Sequence, residues 1–354
     1  MKQSIYLFSD TIIKRNSNTI IVETIKEDDE YETEERENEY FLSNEIVIPS
    51  GDKKYIPVEN IEAIFAVGSL HFNSRFLYFL SQNNIPLHIL NYQNRYAGSY
   101  LSAGKPVSGS LLIKQAQAFL SSNERMHIAM EFVNAAAHNT IANLKYHQNR
   151  KAVLSDFIEY ITDLKEQIKS CKYINELMGI EGAIKKVYYT AWKEIFNYPL
   201  NFNKRIKNPP PDIINSLISY GNAIVYAVCL SEIYHTRLNP EIGFLHEPAD
   251  AQLSLSFDIA DIFKPIFTDR AIFKVINKNI ITEKDYFTKN GFCRIKKEAK
   301  KKFTREIENT ITTTIKNRET DKQLSYKRLV REECYKLAEH FKKEKIYTAY
   351  KTRW

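Results

Sequence analysis

Three short stretches in the second half of the 354-residue chain concentrate side chains able to do chemistry. The first runs from Glu176 to Tyr189. Glu181 stands between Gly179 and Gly182, so little bulk surrounds it and a large ligand can approach. Lys185 lies one helical turn beyond Glu181 and Tyr189 two turns beyond, which puts acid, base and aromatic on one helix face. An ordinary surface Glu–Lys pair has the same spacing. The second stretch is Gly243-Phe244-Leu245-His246-Glu247-Pro248. An apolar triplet before His246 and a proline soon after it suit a rigid loop that holds an imidazole at one angle, or a histidine that merely packs. The third runs from Leu253 to Pro265. Asp258 and Asp261 are three apart and share a helix face, among Phe257, Ile259, Ile262 and Phe263. Two like charges on an apolar face repel and lose hydration, so something must compensate. A magnesium or manganese ion with oxygen ligands would do so, and so would a helix N-terminus.

One Glu, one His and one or two Asp suit a phosphodiester site. There a metal binds a phosphate oxygen and orients an oxygen nucleophile in line. Whether the three stretches converge is a matter of tertiary structure, since they lie 65 and 15 positions apart. Other chemistries lack their motifs. The run Gly98 to Lys105 has one residue too many between its glycines for a phosphate loop, and Pro106 replaces the hydroxyl that would hold magnesium. GxGxxG, HExxH and GxSxG are missing from the sequence.

The elements that must position these residues divide the chain in two. Short β-branched runs at Ser4–Phe8, Thr11–Lys14, Thr19–Glu23, Glu45–Ile48, Lys54–Val58 and Ala63–Val67 read as strands, with a hairpin turn at Asn16-Ser17-Asn18. Phe76 to Leu80 suggests one short helix, and Leu87–Leu90 and Tyr96–Leu101 suggest closing strands. Between them, Glu27 to Glu39 carries nine acids and one arginine, a segment that cannot bury itself and reads as a solvated loop. Composition changes at Gly104 to Gly109, read as a linker between a β-rich domain over 1–103 and an α-helical domain over 110–354. Apolar spacing is helical from Leu111 almost to the C-terminus, broken at Asn201 to Pro211 and at Asn239 to Gly243. The expected fold class is therefore α+β, β-rich first and helical second.

The net charge of +7 is uneven. Residues 294–354 hold 19 bases and nine acids, a field that suits a polyanion such as nucleic acid or simply a solvated lysine-rich surface. Four cysteines without CxxC spacing read as free thiols in a reducing cytoplasm. No run of about eighteen apolar residues marks a membrane span, and Met1 to Phe8 lacks the pattern of a signal peptide.

Taken together, the Glu-Gly pair within Leu177–Ala183, the Asn215–Gly221 segment, the Gly243–His246 loop and Ser254–Pro265 resemble the signature of the CRISPR-associated protein one family. The resemblance covers essentially the whole chain. It implies an N-terminal β-domain that builds a homodimer and a helical catalytic domain. It also implies a magnesium or manganese ion bound by Glu181, His246 and Asp261, with Asp258 nearby. The implied activity is that of an endonuclease and integrase that joins prespacer 3′-hydroxyls to the repeat of a CRISPR array, with the small CRISPR-associated protein two as partner. Double-stranded and branched DNA would then meet Lys185, Lys186, Tyr189, Lys264, Arg294, Lys296 and Lys297. Lys185 and Lys186 stand where an arginine often follows the Glu-Gly pair, and Lys264-Pro265 replaces the frequent Arg-Pro. A lysine keeps the charge and loses the bidentate fork. A non-enzymatic DNA-binding scaffold and a phosphohydrolase of small substrates remain as competing readings.

Overall fold

Isoleucines that alternate inward build the first part of the chain. The structure, a computed structural model, describes residues 2–25, 50–91, 93, 95–102, 108–149, 153–197, 200, 202–248, 253–316, 321 and 323–353. It divides into two units, residues 1–104 and 105–354.

In the first unit β1 (Gln3–Leu7), β2 (Thr11–Asn16), β3 (Thr19–Ile25), β4 (Ser50–Pro57), β5 (Ile61–Ala66) and β6 (Leu70–His71) precede helix α1 (Ser74–Asn83), β7 (Leu87–Leu90) and β8 (Tyr96–Tyr100). The expected hairpin is present: Asn16 pairs with Thr19, and Ser17 takes a positive φ of 52° in the two-residue turn. Two four-stranded sheets form, ordered β1-β5-β7-β8 and β4-β3-β2-β6. Ile13, Ile20, Ile61, Ile64, Phe76, Leu80 and Leu87 lie in one core with almost no exposure. The side chain of Asn73 caps α1 by accepting from Phe76 N at 3.1 Å. The parallel pairing of β1 with β5 and of β5 with β7, and the short β6, had no counterpart in the sequence pattern. The expected strand at Glu45–Ile48, the acidic run and residues 104–107 of the linker lie outside the described residues.

The second unit is helical: α2 (Gly109–Leu120), α3 (Ser122–Gln148), α4 (Ser155–Gln167), α5 (Ile174–Ile195), α6 (Ile213–Thr236), α7 (Ser254–Lys264), a π-helical turn (Pro265–Asp269), α8 (Arg270–Asn277), α9 (Lys297–Thr312) and α10 (Tyr326–Phe341). Helix α6 is the hub, packed against α7 and α10 and buried along nearly its whole length. By length and composition alone it would cross a membrane, so a stretch of that kind does exist in the chain; 83% of its most apolar window is buried inside the protein. The helical reading of the C-terminal region missed two hairpins, β9 (Tyr286–Lys289) with β10 (Phe292–Ile295) and β11 (Thr314–Lys316) with β12 (Gln323–Ser325). The first turns on Asn290 and Gly291, with φ of 53° and 74°. That dipeptide is the strongest short-range hairpin signal a sequence carries. All four cysteines are free, three of them buried.

Helix α3 holds α7 at its C-terminal end. Asn139 donates to the Ile262 carbonyl at 2.9 Å, and Asn143 donates to the Pro265 carbonyl at 2.6 Å. The C-terminal segment 345–353 closes this arrangement from outside. Thr352 N donates to Asn139 Oδ1 at 2.8 Å, and the Tyr347 hydroxyl donates to Glu333 Oε1 at 2.5 Å. Tyr347 and Glu333 are both fully buried. Removing the hydroxyl leaves the buried Glu333 Oε1 with only the longer bond from Tyr350 N at 3.2 Å, so Tyr347→Phe should lower the unfolding free energy by about 1–3 kcal/mol. A shift of the urea midpoint at constant m-value checks this.

Candidate active site

The floor of the site is a carboxylate without solvent. Asp258, on α7, has no exposed surface. Its Oδ2 accepts from Phe244 N at 2.6 Å and Leu245 N at 3.1 Å, and its Oδ1 accepts from His246 N at 3.0 Å. The fourth donor is His246 Nδ1, at 2.7 Å from Oδ1. One buried charge thus takes up the backbone of an entire loop and fixes one imidazole. With Nδ1 donating, Nε2 is the ring nitrogen left for chemistry. Gly243 N donates to Ser254 Oγ at 2.8 Å, and that hydroxyl donates to the Glu241 carbonyl at 2.6 Å. A Cβ on residue 243 would sit 2.8 Å from Asp258 Oδ2 and 2.8 Å from the Ser254 carbonyl carbon, so only glycine lets the loop close on the helix.

One turn along α7, Asp261 is also buried, with 3% of its side chain exposed. Its Oδ2 accepts from Lys185 Nζ at 3.1 Å, and its Oδ1 pairs with Lys264. Lys185 in turn pairs with Glu181 on α5. Carboxylates 80 positions apart in sequence therefore share a single ammonium. Lys264 donates to the Tyr226 hydroxyl at 2.6 Å and lies 4.4 Å from the centroid of that ring. Burial alone would raise the Asp261 pKa, but Lys185 and Lys264 hold it below the usual carboxylate range. Burial alone would lower both lysines, and the same carboxylates hold both above their ordinary value. His246 lies near enough to Asp261 for the two charges to interact. Burial lowers the imidazole pKa, and the Asp258 bond and charge outweigh it, so the net shift is upward.

As placed, no three His, Cys, Asp or Glu among the described residues form a ready-made metal cluster. The reason is visible: the Lys185 ammonium stands where Glu181 and Asp261 meet. The donor set nevertheless fits a divalent cation. Two carboxylates already aim at one cationic centre, and the His246 ring, with Nε2 left for chemistry, lies close to one of them, Asp261.

The remaining expected contacts fall in different places. Lys264 is enclosed by Asp261 and Tyr226 and is only 13% exposed, so as placed it presents no free charge to a phosphate. Lys186 is exposed on α5, away from the carboxylates. Tyr188 is buried, and Tyr189 packs edge-on to Trp192 at 5.1 Å while remaining half-buried. Arg294, Lys296 and Lys297 lie on β10 and at the start of α9; no described ion pair joins them to Glu181, Asp258 or Asp261. Sequence reasoning missed Tyr226, Arg205 and Asp269. Asp269 is buried beneath the lysines beside Tyr188, and burial pushes its carboxyl up to about 7. Asn215, Ser219, Asn222 and Tyr226 recur at helical spacing along α6, and that stripe was the available signal.

The fold and the acid–histidine site together define the class: a two-unit α+β protein of the fold shared by Cas1 proteins and casposases. A solved Cas1 protein from Thermotoga maritima superposes with a TM-score of 0.80 at 33% identity, covering 99% of this chain and 100% of that one. A casposase bound to integration product shares the fold with a TM-score of 0.82 at 20% identity, over 98% and 92% of the two chains. The family model of CRISPR associated protein Cas1 matches residues 5–309. The CRISPR-associated endonuclease Cas1 of Fusobacterium nucleatum is 37% identical over 354 residues, which span 100% of this chain and 98% of that protein. The chain belongs to the CRISPR-associated Cas1 family.

Two outcomes follow from the Asp258 geometry. In chelator-treated protein, Asp258→Asn should lower the His246 pKa, because desolvation stays while the hydrogen bond and charge of Asp258 that opposed it are gone. Imidazole proton shifts followed by NMR against pH report this. Gly243→Ala should cost about 1–3 kcal/mol through overpacking against Asp258 and Ser254, read from thermal melting.

Proposed function

We propose that this chain is a metal-dependent DNA endonuclease and integrase of CRISPR adaptation. In this reading it joins prespacer 3′-hydroxyl ends to the repeat of an array by transesterification. The observation that carries the reading is the convergence of Glu181 and Asp261 on one cation beside an imidazole fixed by Asp258. Membership of the Cas1 family and the endonuclease name of the Fusobacterium nucleatum relative support it.

Glu181, Asp261 and His246 Nε2 are the residues that would hold magnesium or manganese. Bound there, the ion supplies Lewis acidity to a phosphate oxygen and a template for in-line attack. Asp258 keeps the imidazole in one tautomer and one orientation by accepting from Nδ1. Lys185 and Lys264 surround Asp261 with positive charge, which favours the approach of a phosphodiester. In the joining step the 3′-oxygen forms a new P–O bond to the phosphate at the repeat's 5′ edge as the bond from that phosphorus to the 3′-oxygen of the preceding nucleotide breaks. The proton of the attacking hydroxyl ends on the departing oxygen or on solvent. Phosphodiester bonds are conserved in number, so the step needs no nucleotide triphosphate.

Lys186, Arg294, Lys296 and Lys297 remain candidates for backbone contacts to double-stranded or branched DNA, with affinity falling steeply as salt rises. A homodimer built by the β-rich unit and a complex with the small CRISPR-associated protein two are the assembly that the family likeness suggests. A cytoplasmic location agrees with the free cysteines.

Glu181→Ala and His246→Ala should each reduce manganese-dependent cleavage and joining of branched DNA by about 100-fold or more, while duplex binding at low salt stays near that of the parent. Full joining by either variant would remove the site from the mechanism. Loss of joining with strong turnover of free nucleotides would replace DNA by a small phosphorylated substrate.

A further inference from the structure

We propose that Arg125 is a positioning residue for the active-site imidazole: its guanidinium clamps the loop on both sides of His246. The inference rests on the reading of Glu181, Asp261 and His246 as metal residues, and it adds the group that keeps the third of them in place.

The loop over residues 239–247 is held by two helices at the start of the helical unit. Gln115, on α2, is fully buried. Its side chain donates to the Asn239 and Ile242 carbonyls, both at 2.9 Å, and accepts from Asn239 N at 3.0 Å. Three bonds from one amide fix the entry to the loop. Arg125, near the start of α3, fixes its exit. Its Nε donates to the Phe244 carbonyl at 3.0 Å, and its Nη2 donates to Glu247 Oε1 at 2.6 Å. The two contacts straddle His246, one falling two residues before it and the other one residue after.

The N–H groups of the same residues belong to Asp258. Phe244 joins the two anchors: its N–H goes to Asp258 and its carbonyl to Arg125, so it cannot turn without breaking one of them. Its ring is fully buried, with its centre 5.4 Å from that of Phe341 and 6.5 Å from that of Phe119. The Arg125 guanidinium lies 4.4 Å from the centre of the Phe119 ring, and only 16% of the Arg125 side chain is exposed. The ring that packs on the loop thus supports the clamp as well. A planar fork reaches a carbonyl and a carboxylate at once, which a lysine ammonium does less well. Asp258 sets the tautomer and angle of the imidazole. Arg125 sets where the backbone that carries the imidazole stands. A ligand whose supporting contacts are lost drifts by about 1 Å, enough to weaken an ion site. Both contacts turn the guanidinium into the loop, so this role is separable from that of a DNA phosphate contact.

The test uses the full chain and three readouts. These are amide hydrogen exchange in metal-free protein, manganese affinity by electron paramagnetic resonance without DNA, and anisotropy of a fluorescent branched duplex over a potassium chloride series. In Arg125→Ala the amides of residues 244–246 should exchange about tenfold faster or more, while those in the middle of α6 keep the parent's protection. Manganese should bind about 10- to 100-fold more weakly, and joining lost at low manganese should return as the ion is raised. Arg125→Lys should fall between Arg125→Ala and the parent. Glu247→Ala removes only an exposed ion pair and should produce less than half the effect. The slope of log affinity against log salt should match the parent's. Unchanged exchange and manganese affinity in Arg125→Ala overturn the inference. Faster exchange spread evenly over α6 also overturns it, because Arg125 then serves the fold at large. A salt slope lower by about 0.9 overturns it in favour of a phosphate contact. If Arg125→Ala does not fold, Arg125→Lys decides by the same readouts. If Glu181→Ala binds manganese like the parent, the metal reading fails, while the exchange of residues 244–246 still judges the clamp.

Discussion

A fully buried negative charge must be answered on every side, and Asp258 sets the terms for the rest of the site. Removing a carboxylate from water costs several kcal/mol unless its lone pairs are filled. Here three backbone N–H groups and one imidazole fill them. The requirement runs outward from that point. The loop must approach closely enough for its amides to reach the carboxylate, so residue 243 has no room for a Cβ. The imidazole must donate through Nδ1, so its other nitrogen is presented to the site. Helix α7 must stand where α3 holds it, through the Asn139 and Asn143 amides at its end.

The second acid of α7 solves the same physical problem by charge instead of by backbone. Asp261 is flanked by two ammonium groups, and one of them is shared with Glu181. Each partner alone would be driven toward its neutral form by burial, and together they remain charged. Such a network is poised for exchange. Cations already occupy the places where an incoming ion would act. Asp269 beneath it, its carboxyl pushed up to about 7 by burial, is only partly ionised near neutral pH.

The same contrast separates what packs from what reacts. Tyr188 and Trp192 continue the face of α5 that carries Glu181 and Lys185, but they end in an aromatic cluster with Phe202 and Phe273. That cluster gives α5 a rigid base. Catalytic groups held by packed neighbours lose less freedom on binding substrate, which is the physical advantage of placing them on helices and a braced loop.

Much of this was legible from residue types and spacing. Short β-branched runs identified strands of the first unit, because branched side chains suit the extended, pleated backbone. Asp258 and Asp261 belonged to one buried face because a helix repeats every 3.6 residues. The need for compensation followed from burying two like charges. The identity of the compensating groups did not follow, because Glu181, Lys185 and Tyr226 are remote from α7 in sequence, and only the folded chain turns the backbone of residues 244–246 onto Asp258. The division of labour between the two aspartates was equally hidden: both are acids on one face, yet one meets amides and the other meets lysines. Local patterns, then, determined the elements and nominated the chemistry. Distance decided the rest, since the field at a charged atom depends on neighbours that the order of residues does not reveal.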